Sequence, residues 1–213
     1  MRTIAIDAMG GENAPEAIIE AVLKAKGEMP DTKFLLFGDK EQLRKLIPAD
    51  QINDQLGVVS TTEIIEDEDE PVRAIRKKKD SSMVVAANYV KEGKADALLS
   101  LGNTGALLAC GIFIIGRIKG IVRPGLMPTL PAQNSDDSFN MVDVGANAKS
   151  KPEYLLQWAQ MASYYAEKIR EIENPRIAAS YKQKIRGFNN NNELTLFLQE
   201  ESNIEYSTDI ILE

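Results

Sequence analysis

The sequence predicts an α/β protein, a three-layer α/β/α arrangement on a mostly parallel sheet. Two observations carry that expectation. Short β-branched and apolar runs alternate with longer runs of helical period, the pattern of a parallel sheet covered on both faces. At several strand ends the chain then turns into a helix through glycines and capping residues, at the edge where such sheets bind ligands.

TIAID is short and apolar and predicts a buried strand ending at Asp7. In PEAIIEAVLKAKGE, Ala17, Ile18, Ala21, Val22 and Ala25 fall on one helical stripe. Pro15 and Glu16 suit its first turn and Gly27 its stop. KFLLFGD predicts a second strand, DKEQLRKLI a short helix and GVVST a third strand. In IIEDEDEPVRAIRKKKDSS, acids precede a helix-starting Pro71 and bases follow it, which complements the helix dipole at both ends. That run is either a solvated helix with favourable end charges or a basic patch facing a substrate. MVVAANYVKEG continues as an amphipathic helix, ADALLSLG as a strand and NTGALLACGIFIIGRIKG as a buried helix. RPGLMPTLP is an extended, proline-punctuated connection, FNMVDVG another strand and KPEYLLQWAQMASYYAEKIRE a long helix.

With 213 residues, 44% of them hydrophobic, the chain can bury a core for one large domain or two small ones. Its net charge of −7 repels nucleic acid and anionic lipid, so no nucleic-acid partner is expected and bound phosphate needs local donors. Cys110, the single cysteine, lies in an apolar run and reads as a small buried hydrophobe; no disulfide can form within the chain. That run is too short to span a bilayer, and MRTIAIDAMGG has no signal-peptide pattern. A cytoplasmic location is expected.

Three predicted strand ends are alike: Asp7 to Asn13 in DAMGGEN, Gly102 to Gly105 in GNTG, and Asp143 to Asn147 in DVGAN. In an open parallel sheet all three should emerge on one edge, where glycines admit a ligand to the backbone and helix N-termini offer N–H groups to an anion. Each taken singly is an ordinary tight turn with a cap. Neither a P-loop nor a G-x-G-x-x-G fingerprint is present. With no histidine, a Ser-His-Asp triad, a Cys-His pair and histidine-based zinc sites are excluded within this chain. Asp7 and Asp143 suit an orienting or capping role better than metal ligation, so no metal and no cofactor is expected. Such an inventory suits a nucleophile already ionised at neutral pH and a good leaving group. Inorganic phosphate attacking a thioester fits, with fixed N–H donors stabilising the tetrahedral oxyanion.

DAMGGENAPE, PVRAIRKKKDSSMVVAANYVKEGKADALLSLGNTGALLA, RIKGIVRPGLMPTLP and DVGANAKSKPEYLLQWAQMASYYAEKI resemble, in order, the bacterial phosphate acyltransferases. The likeness covers residues 1–176. It implies transfer of a fatty acyl group from acyl-acyl carrier protein to inorganic phosphate, giving acyl-phosphate for phospholipid synthesis. It further implies a fold akin to isocitrate and isopropylmalate dehydrogenases and to phosphotransacetylase. A homodimer, a cytoplasmic or peripheral inner-membrane location, and a membrane glycerol-3-phosphate acyltransferase that takes the product are implied as well. The family's motifs fall on Asp7, Gly10, Gly11 and Asn13; on Lys79, Asp80, Ser81 and Ser82; on Gly102, Asn103, Thr104 and Gly105; on Arg123; and on Asp143, Gly145 and Asn147. Asn103, Thr104 and neighbouring N–H groups are the expected binders of phosphate or the oxyanion, with Lys79 or Arg123 supplying positive charge. Arg73, Arg76, Lys77 and Lys78 make a docking patch for the acidic carrier protein.

Residues 177–213 do not resemble the family's continuation, so the domain reading is an acyltransferase-like domain over 1–176 followed by a divergent segment. The fold is then expected to be incomplete at its C-terminal side, leaving faces meant for later strands exposed, with poor solubility and little activity. Two other functions fit less well: an inactive homologue that binds carrier protein, and an isocitrate-type dehydrogenase, whose nucleotide and metal motifs are not evident.

Overall fold

The computed structural model describes residues 1–132, 137–144 and 151–177. It divides into two units, Met1–Arg117 and the residues from Ile118 onward.

The first unit alternates strand and helix. Its order is β1 (Arg2–Asp7), α1 (Glu16–Glu28), β2 (Thr32–Gly38), α2 (Lys40–Leu46), β3 (Leu56–Ser60), α3 (Pro71–Lys77), α4 (Ser82–Lys91), β4 (Ala97–Leu99) and α5 (Thr104–Cys110). The four strands form one sheet in the order β3-β2-β1-β4, and every pairing is parallel. Alternation along the strands supplies two apolar faces. Ile6, Phe34, Leu36 and Leu56 pack against Ile18, Ile19 and Val22 of α1 and Leu43 of α2. On the opposite face Ala5 and Phe37 meet Ala86 of α4, and the Phe37 ring stands edge-on to Tyr89, centroids 4.8 Å apart. Helices therefore cover both faces, as parallel pairing requires. A further cluster, with Ile75, Met83, Ala106 and Cys110 at its centre, joins α3, α4 and α5.

Caps set the helix starts. Asp39 accepts from the Gln42 N–H at 2.7 Å, Glu70 from the Arg73 N–H at 2.7 Å, and Asn103 from the Ala106 N–H at 2.9 Å. Gly27 does not stop α1, which runs on to Glu28 and closes with the Met29 N–H on the Ala25 carbonyl. Pro30 ends it instead, by pushing Met29 out of helical geometry (φ −126°, ψ 70°).

Two expected elements are shorter. Only Ala97–Leu99 of ADALLSLG pairs, because Ser100 to Gly102 are taken up by the turn into α5. The expected buried helix from Asn103 is buried only at Ala106, Ala109 and Cys110. Past Cys110 it widens into a π-type turn, Gly111–Ile115, ended by Gly116 at φ 103°. There Phe113 is 58% exposed, so the apolar stretch does not continue as core.

The second unit holds β5 (Thr129–Pro131), β6 (Ser138–Asn140) and α6 (Pro152–Lys168). The strands pair antiparallel as a two-stranded sheet, with Leu130 opposite Phe139. FNMVDVG was expected to join a parallel sheet; its described part instead meets a proline-flanked segment that cannot serve as a central strand. Helix α6 pins the loop before β5: Gln157 accepts from the Val122 N–H and donates to the Gly120 carbonyl, and the Trp158 indole donates to the Arg123 carbonyl at 2.8 Å. Beyond the helix, the Arg170 guanidinium donates to the Asn140 side chain and to the Ser138 carbonyl and hydroxyl.

Candidate functional site

The loops after β1 and β4 lie side by side at the carboxyl edge of the sheet. Asp7 ends β1 with its side chain buried: one carboxylate oxygen accepts from the Met9 N–H at 3.2 Å, the other from the Ser100 hydroxyl at 2.7 Å. Ser100 in turn accepts from the Gly102 N–H at 3.1 Å, so a single carboxylate sets both turns. The glycines let the backbones touch. A Cβ on Gly10 would stand 2.5 Å from the Asp7 carboxylate and 3.0 Å from the Gly102 Cα, while one on Gly102 would stand 3.0 Å from the Gly10 Cα. Gly11, at φ +112°, passes against the Leu101 carbonyl in a conformation that L side chains rarely adopt. Asn13 is exposed, and its carbonyl accepts the Ala17 N–H ahead of α1.

Asn103 is the most heavily used polar side chain of the edge. Its Oδ1 caps α5, and its amide donates to the carbonyls of Glu66, Asp67 and Asp69 at 3.1 to 3.2 Å. Both ends of the amide are therefore engaged with protein, and the side chain ties the acidic loop to the start of α5. Thr104 is exposed in the first helical position, where backbone N–H groups have no intrahelical partner. Gly105 is explained by packing: a Cβ there would come within 2.6 Å of the Pro71 ring at the start of α3.

Ser81 and Ser82 are buried, whereas Lys79 and Asp80 are exposed. The Asp80 carboxylate accepts from the Thr62 N–H and hydroxyl, its N–H donates to Glu63, and the Ser81 hydroxyl donates to the Lys78 carbonyl. This segment stitches the exit of β3 to the start of α4. Lys78 is bonded to Asp69 at 2.5 Å and to the Ile64 carbonyl at 2.8 Å, while Arg73, Arg76 and Lys77 stand exposed. The Lys78 bond, then the Glu66 N–H, hold the Asp69 carboxyl below its ordinary range.

Between the first loop and the acidic loop lies a cleft of about 280 Å³, lined by Met9, Gly11, Glu12, Ile65, Glu66, Asp67 and Glu68. Four carboxylates and no base line it, so this part of the edge repels an anion. In the second unit Arg123 is exposed, its carbonyl fixed by Trp158. Asp143 is half-buried at φ 64°, with its N–H on the Leu126 carbonyl. Gly145 and Asn147 lie outside the described residues. The sequence reading missed Ser100; a hydroxyl at the end of an apolar run, directly before a glycine turn, was the available signal.

Residues 2–181 match the family model described as "Fatty acid synthesis protein". The chain belongs to that family. Among its relatives are the phosphate acyltransferases of Lactobacillus helveticus (strain DPC 4571), 91% identical over 177 residues, and of Ligilactobacillus salivarius (strain UCC118), 55% identical over 178. Each alignment covers 83% of this chain and 53% of the relative, so the chain spans about half the length of the curated relatives it matches. The fold is also that of a branched-chain phosphotransacylase from Enterococcus faecalis V583, at a TM-score of 0.61 and 18% identity, over 96% of this chain and 65% of the other. In this chain DAMGGEN and GNTG follow neighbouring strands of a parallel sheet.

Proposed function

We propose that this chain carries part of a site at which an acyl group passes from a thioester to inorganic phosphate. The observation that carries this reading is the Asp7–Ser100–Gly102 link, which holds two glycine-rich loops together at the carboxyl edge of a sheet. Relatives named phosphate acyltransferases supply the reaction class. A phosphate oxygen attacks the thioester carbonyl, the C–O bond forms as the C=O pair moves onto oxygen, and the intermediate collapses with loss of thiolate, which takes a proton from water. Phosphate is ionised at neutral pH and thiolate leaves readily, so no histidine base is needed.

In this reading the first-turn N–H groups of α5 and the Thr104 hydroxyl stabilise the oxyanion. Asn103 positions them, because its own amide is spent on the acidic loop. Four carboxylates line the neighbouring cleft, so cations must offset the charge of phosphate, and Arg123 and Lys79 are the proposed sources. Gly10, Gly11, Asn13, Gly102 and Gly105 shape the walls; Asp80, Ser81 and Ser82 fix the loop that bears Lys79; Asp143, Gly145 and Asn147 enter the proposal as the remaining motif residues of the family. The acyl donor is acyl-acyl carrier protein, an acidic partner met by Arg73, Arg76 and Lys77 on α3 and used for phospholipid synthesis in the cytoplasm. A homodimer, and delivery of product to a membrane acyltransferase, belong to the same proposal.

Thiol release from an acyl-carrier thioester, followed with and without phosphate, tests it. Phosphate-dependent release supports the transferase. Equal release in both conditions overturns it, and carrier binding without release points to a docking module.

A further inference from the structure

Arg123 stands on a stretch, Ile118 to Gly125, that is neither helix nor strand, so its course depends on the groups that hold it. Two adjacent side chains of α6 do so. Gln157 uses both ends of its amide, accepting from the Val122 N–H at 2.8 Å and donating to the Gly120 carbonyl at 2.9 Å, and the Trp158 indole donates to the Arg123 carbonyl at 2.8 Å. Trp158 is buried while Arg123 is exposed, so a packed group on a long helix anchors a surface group on a loop. The segment bearing Asp143 arrives at the same ring. A Cβ on Gly125 would stand 3.3 Å from the indole nitrogen, 3.2 Å from the Val142 side chain and 3.5 Å from the Asp143 Cβ, and the Asp143 N–H donates to the Leu126 carbonyl at 2.7 Å.

We propose that Gln157 and Trp158 are positioning residues of the acyl-transfer site, setting the backbone from which Arg123 reaches phosphate; this rests on the function proposed above, in which Arg123 supplies positive charge. Both act through Arg123 and not on substrate. A group on a loop is placed less precisely than one on a helix or strand unless its neighbours lock it, and a misplacement of about 1 Å can cost on the order of a hundredfold in rate. Packing alone would need only the indole ring. The N–H bond to the carbonyl of Arg123 itself, and the two-ended grip of Gln157 just before it, fix where that residue leaves the loop.

The test is made in the L. helveticus relative with the matched stretch of this chain in place of its counterpart. Trp158→Phe keeps a buried ring and removes the donor; Gln157→Ala, at a half-buried position, releases Gly120 and Val122 without opening the core. Each should raise the phosphate KM about threefold to tenfold, the scale of one lost hydrogen bond, with the acyl-carrier KM changed less than about twofold. In an Arg123→Ala background neither should raise the phosphate KM further. Amide exchange at Val122 should quicken about tenfold in Gln157→Ala, a readout that needs no catalysis. An unchanged Val122 amide would overturn the positioning role. So would a phosphate KM that Arg123→Ala raises and both variants leave alone, or one that they raise as much with Arg123 absent, the mark of a merely structural effect. An Arg123→Ala protein with an unaltered phosphate KM would remove the function assigned to Arg123, and the positioning role with it.

Discussion

Gly10→Ala is the sharpest probe of the two-loop edge. Gly10 is buried, and the added methyl carbon would stand 2.5 Å from the Asp7 carboxylate and 3.0 Å from the backbone of Gly102. Neither neighbour gives way cheaply: Gly102 is backbone, and Asp7 is 2% exposed and bonded to Ser100 and to the Met9 N–H. Overpacking of this kind costs about 1–3 kcal/mol, and a lost hydrogen bond to a charged group about 1.5–3 kcal/mol. The two overlap, since moving the carboxylate relieves the clash, so the expected loss is about 2–4 kcal/mol. Amide exchange at Ile4 to Ile6 reads it locally, as acceleration of roughly thirty-fold to nearly a thousand-fold. Gly27→Ala is the control: nothing lies within 4 Å of its added carbon, and in the last turn of α1 it should stabilise by up to about 0.5 kcal/mol. Should the damage run through Asp7 and Ser100, Ser100→Ala would cost less in the Gly10→Ala background than alone. If Gly10→Ala exchanged within threefold of the unsubstituted chain, the two-loop account would be wrong.

Asn103→Ala should cost about 2–3 kcal/mol, since it removes a cap and leaves three carbonyls without their donor; Asn103→Asp keeps the cap alone, and exchange in residues 66–69 should rise in both. Burial, then the charge of Asp7, push the Cys110 thiol up to about 12, so a thiol reagent at pH 8 should label the native chain only as fast as it opens, and rapid stoichiometric labelling would contradict this. The Asp69 carboxyl is held low by Lys78, so the stability it contributes is complete above the ordinary carboxylate range and lost as pH falls through the lowered value. NMR of the Lys78 ammonium should show the contact intact at pH 5 and lost only in stronger acid, a pH dependence absent in Asp69→Asn. Under the proposed function, Arg123→Ala should raise the phosphate KM at least tenfold with a smaller change in KM for the acyl carrier; equal changes in both would remove Arg123 from the phosphate side.

Local pattern predicted the first unit well because its strands pair in a simple order and each carries its own two-faced alternation. The turn after Asp7, the Asp39 cap and the start of α3 at Pro71 follow from residues within four positions of one another. What sequence could not show is decided at long range. The amide of Asn103 reaches carbonyls 34 to 37 residues away, which makes an expected ligand group into a tie between loops. Lys78 looked like one base in a run of them until Asp69 folded back onto it. Gly105 resembled a phosphate-loop glycine, and its environment is the Pro71 ring. The likeness of DVGAN to the other two strand ends was real at the level of composition. Its strand, however, pairs antiparallel with a segment flanked by prolines, and pairing partners are not written into a strand.

Phosphorus NMR of the reaction of acyl-carrier thioester with phosphate, run with the L. helveticus relative in which the matched stretch of this chain replaces its counterpart, bears most directly on the central claim. The account predicts an acyl-phosphate resonance that grows in step with released thiol in that chimera, requires phosphate, and is lost in Asp7→Asn. Thiol released by the chimera with no acyl-phosphate would contradict it.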